Sequence, residues 1–186
     1  MHAQRIVSFA TCNLNQWAMD FKGNYERIKC SILKAKDHGA AYRLGPELEI
    51  TGYGCQDHFL ETDTFTHSWE VMAKILNSDL TDNILCDIGM PVIHKSVKYN
   101  CRVLCLNRQI LMIRPKTILA NDGNYRERRY FAAYEWSPLA PRAMESFQLP
   151  EIIRKIPSTI EKYVPFGVGI LEMLDTTVTC EDRKST

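Results

Sequence analysis

The stretch of this sequence that decides the fold is Arg43-Leu44-Gly45-Pro46-Glu47-Leu48-Glu49-Ile50-Thr51-Gly52-Tyr53. Its beginning, together with Tyr42, predicts a short strand that stops at Gly45-Pro46. Glu47 follows directly, so a stiff backbone holds its carboxylate at the rim of a sheet, where α/β proteins usually build their sites. A solvated glutamate in a turn is the plainer interpretation, and this segment alone favours it.

A second segment repeats the arrangement with the opposite charge. Ile113-Arg114-Pro115-Lys116 is again a strand that runs into a proline and then a single charge. The proline sets the chain direction, so Lys116 is positioned by the end of the strand. Taken alone, a lysine after a strand is a surface residue, because lysine is rarely buried.

Hydrophobic periodicity predicts the elements around these segments. A strand is expected at 6–12, and a helix from Asn24 to about Gly39 with Ile28, Ile32 and Ala35 on its buried stripe. A second helix should start near Thr64, with a buried stripe of Phe65, Trp69, Met72 and Leu76. Further strands are expected at 84–93, 99–106, 110–113 and 164–174, with a tight turn at Asn107-Arg108. This order indicates an α/β (α+β) protein in which helices pack on sheets.

The composition excludes several functional classes. The 186 residues are 45% hydrophobic and 24% charged, with a formal net charge of +1, as in one globular domain or part of a larger one. The charges are mixed along the chain, so we expect no nucleic-acid partner. No apolar run of about 18 residues and no signal peptide are evident, so we expect no membrane association and a cytoplasmic location.

The cysteines and histidines show no metal-ligand pattern. Seven cysteines and five histidines are scattered, without a C-x-x-C pair. An odd number of cysteines without a secretory signal is typical of reduced thiols in the cytosol. We expect most of them to be small core residues, and we predict no metal site.

The combined segments resemble a known family. The order of a glutamate after a strand, a lysine after a hairpin and a cysteine after a later strand resembles the nitrilase superfamily, whose enzymes use a Glu-Lys-Cys triad. More narrowly, the chain is similar to eukaryotic glutamine-dependent NAD synthetases in residues 42–55, 87–94 and 114–127 and in Thr11-Cys12-Asn13-Leu14-Asn15-Gln16-Trp17. The similarity runs from about Arg5 to Asp175.

This resemblance implies a fold and a reaction. In that family an amino-terminal glutaminase domain hydrolyses glutamine, and the ammonia passes to an ATP-dependent synthetase domain that amidates deamido-NAD. The resemblance implies an incomplete nitrilase-like α-β-β-α sandwich, with glutamine as substrate and a homo-oligomeric full-length protein. It implies no cofactor in this chain, because ATP and Mg would belong to the synthetase domain.

The resemblance also implies roles for single residues. Glu47 matches the general base that takes the nucleophile's proton, and Lys116 matches the lysine that supports the tetrahedral intermediate. Tyr125 matches a tyrosine that contacts the glutamine substrate. These residue types suit the chemistry, because a thiol needs a nearby base and an oxyanion needs a fixed positive donor.

The match ends where the nucleophile is expected. In the family the cysteine follows a Gly-containing spacer and ends in Cys-Glu-Glu, whereas here the chain reads Thr177-Val178-Thr179-Cys180-Glu181-Asp182-Arg183. Cys180 is the nucleophile only if the motif is displaced, and nucleophile geometry tolerates errors of about an ångström. We therefore expect a partial carbon-nitrogen hydrolase (glutaminase) domain at 1–176, a divergent tail at 177–186, no synthetase domain and no activity in this chain.

Two other functions stay open. A stand-alone nitrilase-like amidase would act on another amide with the same triad, although residues 119–127 favour the synthetase branch. A non-catalytic pseudoenzyme that binds a partner would be compatible with the missing spacer before Cys180.

Overall fold

A computed structural model describes residues 6–135, 144–174 and 176–180. Its main element is a seven-stranded sheet in the order β1-β2-β3-β4-β5-β7-β6. The strands are β1 (Phe9–Thr11), β2 (Tyr42–Leu44), β3 (Leu85–His94), β4 (Val97–Leu106), β5 (Gln109–Pro115), β6 (Glu145–Gln148) and β7 (Tyr163–Phe166). A separate two-stranded ribbon pairs β8 (Leu171–Glu172) with β9 (Thr177–Val178).

The strand directions decide which strand ends share a rim. Strands β1, β2 and β3 are parallel, and β4 runs antiparallel to both β3 and β5. The carboxyl ends of β2 and β5 therefore lie at the same rim of the sheet, together with the amino end of β4.

The helices cover one face of the sheet. They are α1 (Phe21–Asp37), α2 (Thr62–Leu76) and α3 (Glu151–Arg154), with 3-10 turns at Gln56–Leu60 and Glu127–Arg129. The predicted stripes of α1 and α2 are buried, and all their residues except Phe65 lie in one apolar core with the facing side of the sheet. Phe65 packs in a second cluster, which includes Leu48 and Phe59. No helix in 6–135, 144–174 or 176–180 has the length and hydrophobicity needed to cross a membrane.

Helix α1 begins three residues before the predicted Asn24. Asp20 caps its first turn, because its carboxylate accepts a hydrogen bond of 3.0 Å from the Gly23 N–H. Asn24 is instead buried inside the helix, where its amide donates to the Ile50 carbonyl at 3.0 Å. The helix ends before Gly39, whose φ of 68° lies in the left-handed region, as predicted.

The predicted hairpin between β4 and β5 is confirmed. Asn107 and Arg108 have φ values of 50° and 64°, the two left-handed residues of a type I′ turn. Alternate residues of β4, Cys101, Val103 and Cys105, lie in the core on the helix side, as expected for the cysteines.

The single strand predicted at 164–174 is wrong. Strand β7 ends at Phe166, and Gly167 takes a φ of 144°, a conformation that glycine adopts without a steric penalty. The chain then turns away and forms β8 as part of the separate ribbon. Strand β6 and helix α3 were not predicted.

The fold class is confirmed as α/β. The described residues form a layer of helices and one sheet, which is one α-β half of the expected sandwich. The other face of the sheet carries Leu104 and Met112, and both are covered by Leu171 and Cys180 from the same chain. We call this side the inner face.

A buried ion pair closes the turn that follows β2. The guanidinium of Arg43 donates to both carboxylate oxygens of Glu49, at 2.7 and 2.8 Å, and neither side chain is exposed. Arg43 also donates to the Ser31 hydroxyl on α1 at 2.7 Å. The pair therefore joins the end of β2, the turn and the first helix.

We expect Arg43→Met to lower the free energy of unfolding by about 3–5 kcal/mol, because it leaves the Glu49 carboxylate buried and unpaired. Chemical denaturation followed by circular dichroism measures this loss. The double variant Arg43→Met/Glu49→Leu removes both charges and should recover much of it. Equal losses in the single and double variants would contradict the role of the ion pair.

Candidate active site

Glu47 and Lys116 meet at the rim shared by β2 and β5. Lys116 directly follows β5, and Glu47 comes three residues after β2 ends at Leu44. The Lys116 Nζ lies 2.5 Å from the Glu47 Oε1. The two charged groups therefore form an ion pair, although the catalytic roles of both residues stay predictions.

The turn that carries Glu47 is held from both sides of the sheet. On the inner face, Arg102 donates to the carbonyls of Gly45 and Pro46, each at 2.9 Å. Arg102 is itself held by Asp87, whose Oδ1 lies 2.6 Å from the Arg102 Nε. Arg102 on this face and Arg43 on the helix side together fix the backbone that places the Glu47 carboxylate.

Two glycines leave room for this turn. A Cβ on Gly89 would lie 2.5 Å from the Pro46 carbonyl oxygen, so only glycine lets the turn approach β3 so closely. A Cβ on Gly45 would lie 1.9 Å from the Glu49 carboxylate and would break the ion pair with Arg43.

Lys116 lies between two carboxylates. Besides Glu47, its ammonium donates to Glu127 at 2.9 and 3.1 Å. Lys116 is only 2% exposed. Asn100 on β4 donates to the same two carboxylates, to Glu47 at 2.5 Å and to Glu127 at 3.0 Å. We call Glu47, Asn100, Lys116 and Glu127 the rim cluster.

Glu127 was missed by the sequence analysis. It ends the stretch Asn124-Tyr125-Arg126-Glu127, of which only Tyr125 is a predicted site residue. The loop between Ala120 and Glu127 is closed by two hydrogen bonds: the Glu127 N–H donates to the Ala120 carbonyl at 3.0 Å, and the Ala120 N–H donates to the Glu127 carboxylate. This local closure turns the carboxylate inward, and a glutamate in a polar loop carries no sequence signal for it.

The rim cluster carries more negative than positive charge. Burial raises the pKa of Glu127 above its usual value, and the neighbouring charge of Glu47 raises it further. Hydrogen bonds from Lys116 and the Ala120 N–H act in the opposite direction but do not cancel these effects.

Tyr125 lines a cavity beside the rim cluster. The cavity has a volume of about 390 Å³, and Glu127 and Leu48 also line it. The rings of Tyr125 and Tyr53 meet edge to face, with centroids 6.3 Å apart. Tyr125 and Glu127 thus line the same cavity, which is compatible with the predicted contact of Tyr125 to a substrate.

Cys180 lies elsewhere on the inner face. It packs with Leu104 near the carboxyl end of β4 and with Met112 in the middle of β5. Leu104 is four residues from Asn100 along β4, which is about 13 Å at about 3.3 Å per residue. Burial raises the pKa of the Cys180 thiol to about 12, with a smaller contribution from the charge of Asp87. The conditional nucleophile assignment stays a prediction, and this position gives it no support.

The described residues contain no group of three or more His, Cys, Asp or Glu side chains that could hold a metal ion. In the rim cluster, two carboxylates accept hydrogen bonds from one ammonium and from one neutral amide, and this arrangement is the basis for a candidate chemistry.

We expect iodoacetamide at neutral pH to label Cys30 and leave Cys180 unmodified in the folded chain. Cys30 is exposed on α1, whereas Cys180 is buried and its raised pKa disfavours the reactive thiolate. Peptide mass spectrometry after short labelling measures both sites. Labelling of Cys180 before Cys30 would show an activated thiol and contradict this placement.

We expect Glu127 to titrate above the ordinary range of a glutamate in carboxyl ¹³C NMR. Glu151 is the matched control, because its exposed ion pair with Lys155 lowers its pKa. A pKa raised by folding means that the folded state binds the proton more tightly. This contribution to stability is therefore present at low pH and is lost as pH rises from the ordinary value through the raised one. A Glu127 midpoint at or below that of Glu151 would contradict the burial argument.

Comparison with known proteins places these features in a family. The sequence pattern of the family described as carbon-nitrogen hydrolase matches residues 8–182. A glutamine-dependent NAD(+) synthetase from Arabidopsis thaliana is 56% identical over 177 residues, which is 95% of this chain and 24% of the relative. One from Saccharomyces cerevisiae is 54% identical over 180 residues, again 24% of the relative. The chain thus spans about a quarter of the length of these curated relatives.

Solved structures show the same fold. A glutamine-dependent NAD(+) synthetase from Cytophaga hutchinsonii superposes with a TM-score of 0.77 and 26% identity, covering 93% of this chain and 27% of that chain. An amidase from Nesterenkonia sp. gives a TM-score of 0.60 at 16% identity, covering 76% of this chain and 51% of that chain, and supports the fold alone. With most of its length matched by the family pattern, the chain belongs to the carbon-nitrogen hydrolase family.

Proposed function

We propose that this chain carries part of the glutaminase site of a glutamine-dependent NAD synthetase. Glu47 is the general base, Lys116 supports the tetrahedral intermediate and Tyr125 contacts the glutamine. The observation that carries the proposal is the buried ammonium of Lys116, held between Glu47 and Glu127 at one rim of the sheet. Core packing does not require such a charged cluster, because buried charges cost free energy even when paired.

The arrangement suits hydrolysis of a carboxamide. Glu47 accepts the proton of a thiol that attacks the amide carbon, and then delivers it to the leaving nitrogen, which departs as ammonia. Lys116 stabilises the negative charge that develops on the oxygen of the intermediate. Water then releases glutamate from the thioester, so that glutamine and water give glutamate and ammonia. Glu127 adds a second carboxylate that favours the charged form of Lys116.

The proposal assigns no nucleophile beyond the conditional one, Cys180. Cys180 packs on Leu104 and Met112, away from the rim cluster. This position supports the proposal that the 186-residue chain alone is inactive. It equally favours the second candidate function, a non-catalytic chain that keeps the fold and binds a partner. ATP with Mg, a synthetase domain, a homo-oligomer and a cytoplasmic location belong to the proposal for a protein of the relatives' length.

A fusion tests the function. Residues 1–176 are joined to the corresponding remainder of the Saccharomyces cerevisiae relative, and NAD formation is measured with glutamine or with ammonium as the nitrogen source. We expect activity with both. Glu47→Gln should lower the glutamine-dependent rate by about 10²-fold or more, and Lys116→Met by about 10²–10³-fold. Both variants should keep the ammonium-dependent rate, because it needs no glutaminase step.

The controls separate a wrong function from a wrong fold. Glu26→Gln makes the same chemical change at an exposed position of α1 and should leave both rates unchanged. The unfused 186-residue chain should release no ammonia from glutamine. If the fused Glu47→Gln variant kept its full glutamine-dependent rate, the proposed base would be wrong. Activity with ammonium but not with glutamine in the unsubstituted fusion would favour the non-catalytic alternative.

A further inference from the structure

Asn100 is the neutral member of the rim cluster. It lies near the start of β4, opposite Pro91 of β3, and is 1% exposed. Its backbone carbonyl accepts a hydrogen bond of 2.8 Å from the Lys116 N–H. This backbone hydrogen bond therefore holds the two residues next to each other, independently of their side chains.

The side-chain amide of Asn100 serves both carboxylates. Its nitrogen carries two protons and donates to Glu47 at 2.5 Å and to Glu127 at 3.0 Å. The Glu47 oxygen that it reaches is Oε1, which also accepts the bond from Lys116. Asn100 and Lys116 thus donate to the same two carboxylates. Asn100 does so as a neutral donor, and Lys116 as a charged donor.

The amide orientation leaves one group unsatisfied. The Asn100 Oδ1 is buried and has no hydrogen-bond partner. The opposite orientation would place this carbonyl oxygen against two carboxylates, which is repulsive. The two carboxylates therefore determine which way the amide faces, at the expense of a buried acceptor.

We propose that Asn100 is a positioning residue of the glutaminase site, whose amide holds Glu47 and Glu127 on Lys116 and keeps both carboxylates ionised around one ammonium. This inference rests on the proposed function for its catalytic meaning. Its physical content, the control of two carboxylates by one amide, stands independently and can be measured without substrate.

A neutral donor is suited to this role. Lys116 can neutralise one negative charge, and the second carboxylate then repels the first. Two close carboxylates tend to share a proton, and a protonated Glu47 could not act as a base. Asn100 stabilises both ionised forms without adding a charge. The next charged residue of β4 on this face, Arg102, is occupied by Asp87 and by the carbonyls of Gly45 and Pro46.

Carboxyl ¹³C NMR of the complete 186-residue chain tests the inference. The titration midpoints of Glu47 and Glu127 are measured in the unsubstituted chain, in Asn100→Asp and in Asn100→Leu. Asn100→Asp keeps the shape, removes the donors and adds a negative charge, so the midpoints of the pair should rise by about one pH unit or more. Asn100→Leu removes the amide without adding a charge and should raise them less. Asn83→Asp, an exposed substitution two residues before β3 begins, adds the same charge and should leave them unchanged.

The amide itself gives a second readout that needs no variant. In the unsubstituted chain, both side-chain amide protons of Asn100 should shift with pH at the midpoints of Glu47 and Glu127. A residue with only a packing role would lower the melting temperature when substituted, without moving either midpoint. Unchanged midpoints in Asn100→Asp, or amide protons that do not follow the carboxylates, overturn the proposal. Neither outcome depends on the fusion, so a failure of the proposed function is recognised separately.

Discussion

The buried ion pair between Arg43 and Glu49 is the interaction on which the site depends. Both side chains are fully buried, so each would carry a large desolvation cost without the other. Because Arg43 lies on β2 and Glu49 lies six residues later, beyond the end of the strand, their pairing forces the intervening chain into a closed turn. Glu47 lies inside that turn, and its position is therefore set by a charge pair in which it takes no part.

Charged side chains from other strands of the sheet also fix the turn that carries Glu47. Arg102 donates hydrogen bonds to the carbonyls of Gly45 and Pro46 in the turn. Lys116, at the end of β5, pairs with Glu47 in the same turn. The two arginines lie on opposite faces, so the turn is fixed from the helix side and from the inner side. Rigid support of this kind keeps a base and a cation in place before any substrate binds, which lowers the reorganisation that the reaction requires.

Much of this fold could be predicted from local patterns. The buried stripes of α1 and α2, the strand β4 and the turn at Asn107 and Arg108 follow from periodicity and backbone preference, which act over a few residues. The elements that were missed are short: β6 and α3 span four residues each, and so few residues show no clear period. The single strand predicted across Gly167 is wrong because the residues on both sides of the glycine are apolar, so hydrophobic periodicity does not indicate the change of direction there.

By itself, the sequence determined the strand that leads to Glu47, the proline-ended strand that leads to Lys116, and the family to which both segments belong. Those features are local, and residue type and spacing are sufficient to reveal them. Only the tertiary structure decided that Glu127 and Asn100 join the pair and that Cys180 does not. These outcomes depend on loop closure at Ala120, on strand register between β4 and β5, and on which apolar residues cover the inner face. Contacts between residues far apart in sequence have no local signature, so burial and pairing in three dimensions determine them.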